Sequence, residues 1–165
     1  ATTSMTAICE EIIRGLTEAV RHELPPGWIL RPFGSFVQDT MLPGTALDVA
    51  LYFEGIEEEG QSFNAALGLA AALMRKASGR FELISPLSAS GAPAASGPVR
   101  LLAGDFSSGQ RLGKQELAIY HGDVATGVFD LLLRQALSRD PQARSLVLQV
   151  KRWARSRGLA QRGLG

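Results

Sequence analysis

Two short stretches of sequence decide the fold: Phe33-Gly34-Ser35 and, after twelve intervening residues, Asp48-Val49-Ala50-Leu51. The second stretch lies in an apolar run over 46–53, which predicts a buried strand. Successive side chains of a strand alternate between its faces, so Asp48 and Ala50 point the same way. A Gly-Ser turn lets backbone N–H groups approach phosphate oxygens closely, and a strand carboxylate is a ligand suited to a divalent metal.

Helical and extended patterns alternate around these two stretches. Ile8, Ile12, Leu16 and Val20 recur at helical spacing before Pro25-Pro26-Gly27, which predicts a first helix of about five turns. Further helices are predicted at about 62–78, 128–139 and 144–158, and strands at 28–33, 46–53, 81–84, 98–103 and 115–120. This order predicts one domain over 1–165 of the α/β (α+β) class, a mixed sheet flanked by helices. The patternless segment 86–97 is the candidate mobile loop.

The net charge of the chain does not indicate any particular class of partner. The chain has 17 lysines and arginines against 16 acids, a net charge of +1, so any electrostatic argument depends on local clusters. An acidic run lies at Glu57, Glu58 and Glu59, and basic residues crowd the C-terminal part at Lys151, Arg152, Arg155, Arg157 and Arg162. A solvated surface explains both clusters without a ligand.

The single cysteine, Cys9, excludes an intramolecular disulfide and is compatible with a reducing compartment. Its place in an apolar helical pattern predicts a buried structural thiol. No apolar run approaches the roughly 20 residues that span a bilayer, and no signal peptide is apparent. We therefore expect a soluble, intracellular protein without a membrane span, in a compartment that the sequence leaves open.

The two opening stretches are similar to the Gly-Ser and Asp-x-Asp pattern of the DNA polymerase β-like nucleotidyltransferases. Within that superfamily the chain most resembles the noncanonical poly(A) polymerases and terminal uridylyltransferases. Leu42-Pro43-Gly44-Thr45 resembles their usual Leu-Pro-Gly-Ser connection, and the stretch 141–154 resembles their helix that ends in Lys-x-Trp-Ala. Two matches in the family's order cover most of the chain.

This resemblance implies a nucleotidyltransferase fold and a role for each matching residue. Gly34 and Ser35 would line the triphosphate, Asp48 would bind Mg²⁺ or Mn²⁺, and Lys151 with Arg155, one helical turn apart, would meet the distal phosphates. An RNA 3′ end would supply the attacking hydroxyl. The alternatives are an ordinary turn, a surface acid, and a solvated basic helix face whose Trp153 packs in the core.

The pattern also departs from the family at its metal ligands. Ala50 stands where the second carboxylate belongs. Counting back from Gly127-Val128, which match the residues after the third-carboxylate strand, leads to Ile119, or to Ala118 if the turn holds one extra residue. We prefer Ala118. A further register makes Glu116 the third acid, and residues 116 and 118 share a face of the strand.

Losing a shared metal ligand removes effects worth several kcal/mol of barrier, so we expect negligible activity. Mutagenesis and natural decay would both explain the alanines. The resemblance also implies a helical base-binding domain that has no counterpart in these residues, and a surface normally covered by protein marks a partner site.

The expected function is a pseudoenzyme that acts as a scaffold or subunit of a larger assembly, with no required cofactor. The alternative is an active or artificially inactivated poly(A) polymerase or terminal uridylyltransferase, with Asp48 and Glu116 as catalytic acids and Mg²⁺ as cofactor. Binding of RNA through the C-terminal basic residues, without chemistry, is a third possibility, and its affinity would fall steeply with salt.

Overall fold

A computed structural model describes residues 3–56, 61–76, 81–85, 98–104 and 115–159. The elements are α1 (Thr3–Glu23), β1 (Trp28–Phe33), β2 (Leu47–Phe53), α2 (Gln61–Lys76), β3 (Phe81–Ser85), β4 (Val99–Ala103), β5 (Gln115–His121), α3 (Asp130–Arg139) and α4 (Pro141–Ser156). All four predicted helices and five predicted strands are therefore present within those residues. The predicted loop at 86–97, the acidic run at 57–59 and Arg162 lie outside them.

The last two helices begin at different residues from those predicted. Gly127 has a φ of 75°, and the turn that it forms delays the start of α3 from residue 128 to Asp130. Helix α4 begins at Pro141 rather than at Arg144 because the Asp140 carboxylate accepts hydrogen bonds from two backbone N–H groups of its first turn. Proline is compatible with a first helical position, so the Asp-Pro pair starts this helix.

The five strands form one mixed sheet in the order β1-β2-β5-β4-β3. Strands β2 and β5 pair in parallel, and the other neighbouring strands pair antiparallel. The predicted mixed sheet with flanking helices is confirmed.

One face of this sheet carries the hydrophobic core. Leu47, Val49 and Leu51 of β2 and Leu117 and Ile119 of β5 are buried there against α1 and α2. Full burial of one such side chain contributes about 1.5–3 kcal/mol to folding. Cys9 of α1 belongs to the same core, and burial raises the pKa of its thiol to about 11, as expected for a structural cysteine. Alternation along β2 and β5 then places residues 48, 50, 116 and 118 on the opposite face.

Candidate functional site

The face of the sheet opposite the core carries the residues singled out from the sequence. We call it the site face and define it by Asp48 and Ala50 of β2, Arg100 of β4, and Glu116, Ala118 and Tyr120 of β5. In the register of the sheet Asp48 lies beside Ala118, and Arg100 lies beside Ala118 from the other side. The predicted metal ligand is therefore adjacent to the position preferred for the third carboxylate.

Burial and two neighbouring charges set the protonation of Asp48. Burial raises its pKa from the ordinary value of 3.8 to about 6; Arg100 opposes this rise, and Glu116 adds to it by repulsion. The charges of Arg100 and Glu116 thus both affect the pKa of Asp48. This aspartate titrates much nearer to neutral pH than an exposed one does.

Arg100 joins the groups of the site face to one another. Its Nη1 donates a hydrogen bond to Glu116 Oε1 over 2.8 Å, with 17% of the arginine side chain and 10% of the glutamate side chain exposed. Arg100 also interacts with the phenol of Tyr120. Burial raises the pKa of that phenol, and the charge of Asp48 raises it further. The result is a largely buried cluster of one cation, two acids and a phenol.

Ala50 and Ala118 stand where the resemblance implies carboxylates. Both alanines are fully buried. The backbone of Gly122 comes so close to Ala50 that a Cβ on this glycine would lie 2.8 Å from the alanine methyl. Ile119 packs in the hydrophobic core on the other face, so the register that leads to Ile119 does not reach the site face. Glu116 does reach it.

These residues fit a pair of catalytic metals poorly. Among the described residues no group of three or more histidines, cysteines and acids is arranged to hold a metal ion. The site face supplies two carboxylates, and one of them is already paired with a guanidinium. Mg²⁺ requires several oxygen ligands in near-octahedral geometry. The donor set present therefore does not match the metals that the resemblance implies.

The Gly34-Ser35 turn lies next to Asp48. Gly34 has a φ of 71°, and a Cβ there would lie 3.4 Å from Asp48 Oδ2. The Gly34 N–H donates to Asp130 Oδ2 over 2.6 Å, and Gln38 Nε2 donates to Asp130 Oδ1 over 2.7 Å. Asp130 is buried at the start of α3. A backbone group suited to phosphate is thus bonded to a carboxylate of this chain.

The basic residues of α4 bind the segment that follows this turn. Lys151 Nζ donates to Thr40 Oγ1 over 2.7 Å, and partial burial lowers the pKa of Lys151. Arg155 Nη1 donates to the Pro43 carbonyl over 2.6 Å. These contacts hold the segment against α4. Contact of either side chain with phosphate stays a prediction.

Much of the apolar surface of α3 and α4 is exposed. Of the α3 side chains only Asp130 and Leu137 are buried, and α4, whose residues are all described, buries none. Trp153 is 55% exposed, so the alternative that packs it in the core is wrong. We use the name α3–α4 surface for the exposed apolar side chains on and next to these two helices: Phe129, Leu131, Leu132, Leu133, Leu146, Val150 and Trp153.

Two functional candidates escaped the sequence reasoning. Arg100 carries a local signal, a lone charge in the apolar strand Val99–Ala103, but nothing local assigns it a partner. Asp130 looks like an ordinary acid in the first turn of a helix, where negative charge is favourable. Only the fold shows that each contacts the predicted site.

No helix among the described residues combines the length and apolar character needed to cross a membrane.

No protein-family model matches the chain, and no curated protein does. Solved structures do match, and they confirm the nucleotidyltransferase fold. Cid1, an RNA terminal uridylyl transferase, is 18% identical with a TM-score of 0.65, over 93% of this chain and 41% of that one. A cytoplasmic RNA terminal U-transferase is 17% identical with a TM-score of 0.63, over 93% and 40% of the two chains.

The polymerase core of TRAMP, an RNA surveillance complex, is 25% identical with a TM-score of 0.62, over 100% of this chain and 47% of that one. This chain thus contains a nucleotidyltransferase-fold domain similar in structure to those of poly(U) polymerase and of the TRAMP polymerase. It spans less than half the length of each of these proteins.

Proposed function

We propose that this domain is catalytically inactive and acts as a protein-binding scaffold or subunit in a larger assembly. The observation that carries the proposal is the position of Asp48 beside Ala118, with Ala50 on the same strand face. In the preferred register the resemblance implies acids at residues 48, 50 and 118, and Asp48 is the one acid among them.

Loss of metal-binding carboxylates has a large effect on the rate of catalysis. Metal ions contribute several kcal/mol to transition-state stabilisation, and about 1.4 kcal/mol changes a rate tenfold. The surroundings of Ala50 support the same conclusion, because its methyl group is fully buried and lies close to Gly122. Metal in the buffer cannot supply a missing carboxylate.

The α3–α4 surface supports the protein-binding part of the proposal. Phe129 is 75% exposed, Leu131 60% and Leu146 61%. A large exposed apolar area usually marks an interaction site in a soluble protein. One of the similar structures is the polymerase core of TRAMP, an RNA surveillance complex. The partner in our proposal is a protein subunit that covers this surface.

Catalysis is tested with the purified chain, a labelled RNA, and ATP or UTP with and without Mg²⁺ or Mn²⁺. We expect neither RNA extension nor metal-dependent nucleotide binding by calorimetry. Extension that depends on metal and disappears in Asp48→Asn would overturn the inactive assignment. Extension that persists in Asp48→Asn would indicate a contaminating enzyme.

Partner binding is tested by affinity purification of three forms of the protein. Phe129→Glu with Leu132→Glu places charge in the α3–α4 surface, and Ile56→Glu is the matched control because Ile56 is 97% exposed elsewhere. We expect one stoichiometric partner to be lost only from the double variant. Identical recoveries from all three forms would contradict a docking role for this surface.

An active RNA 3′-terminal transferase is the second candidate, and the position of Glu116 favours it. Glu116 lies on the site face and is electrostatically coupled to Asp48. In this case the two acids would hold Mg²⁺ or Mn²⁺, Gly34 and Ser35 would contact the triphosphate together with Lys151 and Arg155, and RNA would be the substrate. Both Asp48→Asn and Glu116→Gln should then abolish extension. If Ala50 is an introduced substitution, Ala50→Asp should restore it.

A further inference from the structure

We propose that the Arg100 guanidinium takes the place of a divalent metal on the site face, where it acts as a permanent counter-ion for Glu116, close to Asp48, and keeps metal ions out. This inference rests on the proposed noncatalytic function and adds a physical reason why the fold retains its acids without a metal.

The register of the sheet brings the arginine to the acids. Arg100 and Asp48 flank Ala118 on its two neighbouring strands, two strand spacings or about 10 Å apart at the backbone. Because residue 118 is an alanine, no long side chain separates them. Glu116 lies two residues before Ala118 on the same face, and its carboxylate accepts the hydrogen bond from Arg100. The arginine thus lies beside the position where the preferred register expects an acid.

The charges of the cluster require a cation. Two acids that sense each other in a partly buried site destabilise the fold unless a positive charge compensates them. A guanidinium remains charged at all accessible pH values, and its five N–H groups can bond several acceptors at once. Arg100 uses this capacity for Glu116, and it also interacts with Tyr120. Its β4 neighbours Val99 and Leu101 face the core, so Arg100 is the charge that β4 gives to this face.

The same contacts oppose metal binding. A divalent ion coordinated by Glu116 would have to displace the Arg100 hydrogen bond, and it would then share a partly buried site with the arginine charge. Asp48 alone offers too few oxygens for a dedicated Mg²⁺ or Mn²⁺ site. Exclusion of metal is therefore a consequence of Arg100, and not merely of the missing acids.

The test is a titration with Mn²⁺, in which electron paramagnetic resonance measures the free ion. We expect the wild-type protein to bind no Mn²⁺ on the site face. Arg100→Gln should bind Mn²⁺ at least about tenfold more tightly than the detection limit that the wild type sets, because Glu116 loses its counter-ion close to Asp48. Its melting temperature should be lowered without Mn²⁺ and should rise when Mn²⁺ is added. Adding Glu116→Gln to this variant should remove the gain.

Two controls separate this effect from general charge removal. Arg144→Gln deletes an arginine that pairs with Asp39 outside the site face, and it should gain no Mn²⁺ binding. Arg100→Lys keeps a positive charge and should remain unable to bind Mn²⁺. Equal Mn²⁺ affinity in Arg100→Gln and the wild type would overturn the proposal.

The wild-type protein alone provides a second measurement, which remains available if Arg100→Gln does not fold. Mn²⁺ broadens the amide NMR signals of nearby residues, and signals of β2 and β5 should stay sharp. Selective broadening there would overturn the proposal. Broadening without RNA extension would reject the Arg100 inference and leave the noncatalytic assignment intact, whereas extension would reject that assignment.

Discussion

The backbone N–H of Gly34 donates a hydrogen bond of 2.6 Å to the carboxylate of Asp130, 96 residues further along the chain. This bond ties the Gly-Ser turn to the start of α3. It also places a negative charge against the turn where the resemblance implies a triphosphate. The contact therefore stabilises the local fold and disfavours an anionic ligand.

Asp130→Ala should lower the free energy of unfolding by about 2 to 4 kcal/mol, because it leaves the Gly34 N–H and the Gln38 amide without their acceptor. Asp130→Asn keeps one carbonyl acceptor and should cost less than half as much. Urea unfolding followed by circular dichroism measures both values. Equal losses in the two variants would show that the hydrogen bonds to the carboxylate contribute little.

The raised pKa of Asp48 predicts a particular dependence of stability on pH. Between 3.8 and about 6 the folded state keeps a proton that the unfolded state has lost. The stabilisation is therefore fully present below the unfolded pKa and is lost as pH rises through the folded pKa, a loss of about 3 kcal/mol at most. Asp48→Asn removes this titration, so its stability relative to the wild type should increase from pH 4 to pH 7 by up to about 2 kcal/mol, because part of the titration lies below pH 4 and solvent screens a partly exposed group. A pH-independent difference between the two proteins would contradict the burial of the Asp48 carboxylate.

Ala50→Asp tests whether the site face has closed. The new carboxylate would replace a fully buried methyl group, and we expect a loss of about 2 to 4 kcal/mol in unfolding free energy. Ala50→Ser adds one polar atom without a full charge and should cost clearly less. Thermal and urea unfolding compare the two variants. An Ala50→Asp protein as stable as the wild type would indicate that the face can open.

Lys151 and Thr40 provide a test of whether the α4 lysine has a structural role. Thr40 is fully buried and accepts a hydrogen bond from Lys151 Nζ. A double-mutant cycle with Lys151→Met and Thr40→Val should give a coupling free energy of about 1 to 2 kcal/mol. Calorimetry with ATP on Lys151→Met reports separately on nucleotide binding. A coupling near zero would remove the structural role.

Local sequence patterns were sufficient for the elements of the fold. The 3.6-residue and two-residue periodicities depend on neighbours along the chain, so they located the helices, the strands and the buried strand that carries Asp48. They placed the start of α4 too late. An Asp140-Pro141 pair can interrupt a helix, but here Asp140 caps α4 and Pro141 is its first residue. The proximity of Gly34 to Asp48 depends on the pairing of β1 with β2, which brings Phe33 beside Asp48 and which the local patterns do not contain.

By itself the sequence thus determined the secondary structure, the fold class and the absence of an acid at residue 50. The tertiary structure decided which residues meet on the site face. Arg100 and Asp48 are 52 positions apart and become neighbours only because β4 and β2 both pair with β5. Asp130 reaches Gly34 only because α3 begins beside the turn. Strand order and register depend on long-range packing and hydrogen bonding, which a local pattern does not contain.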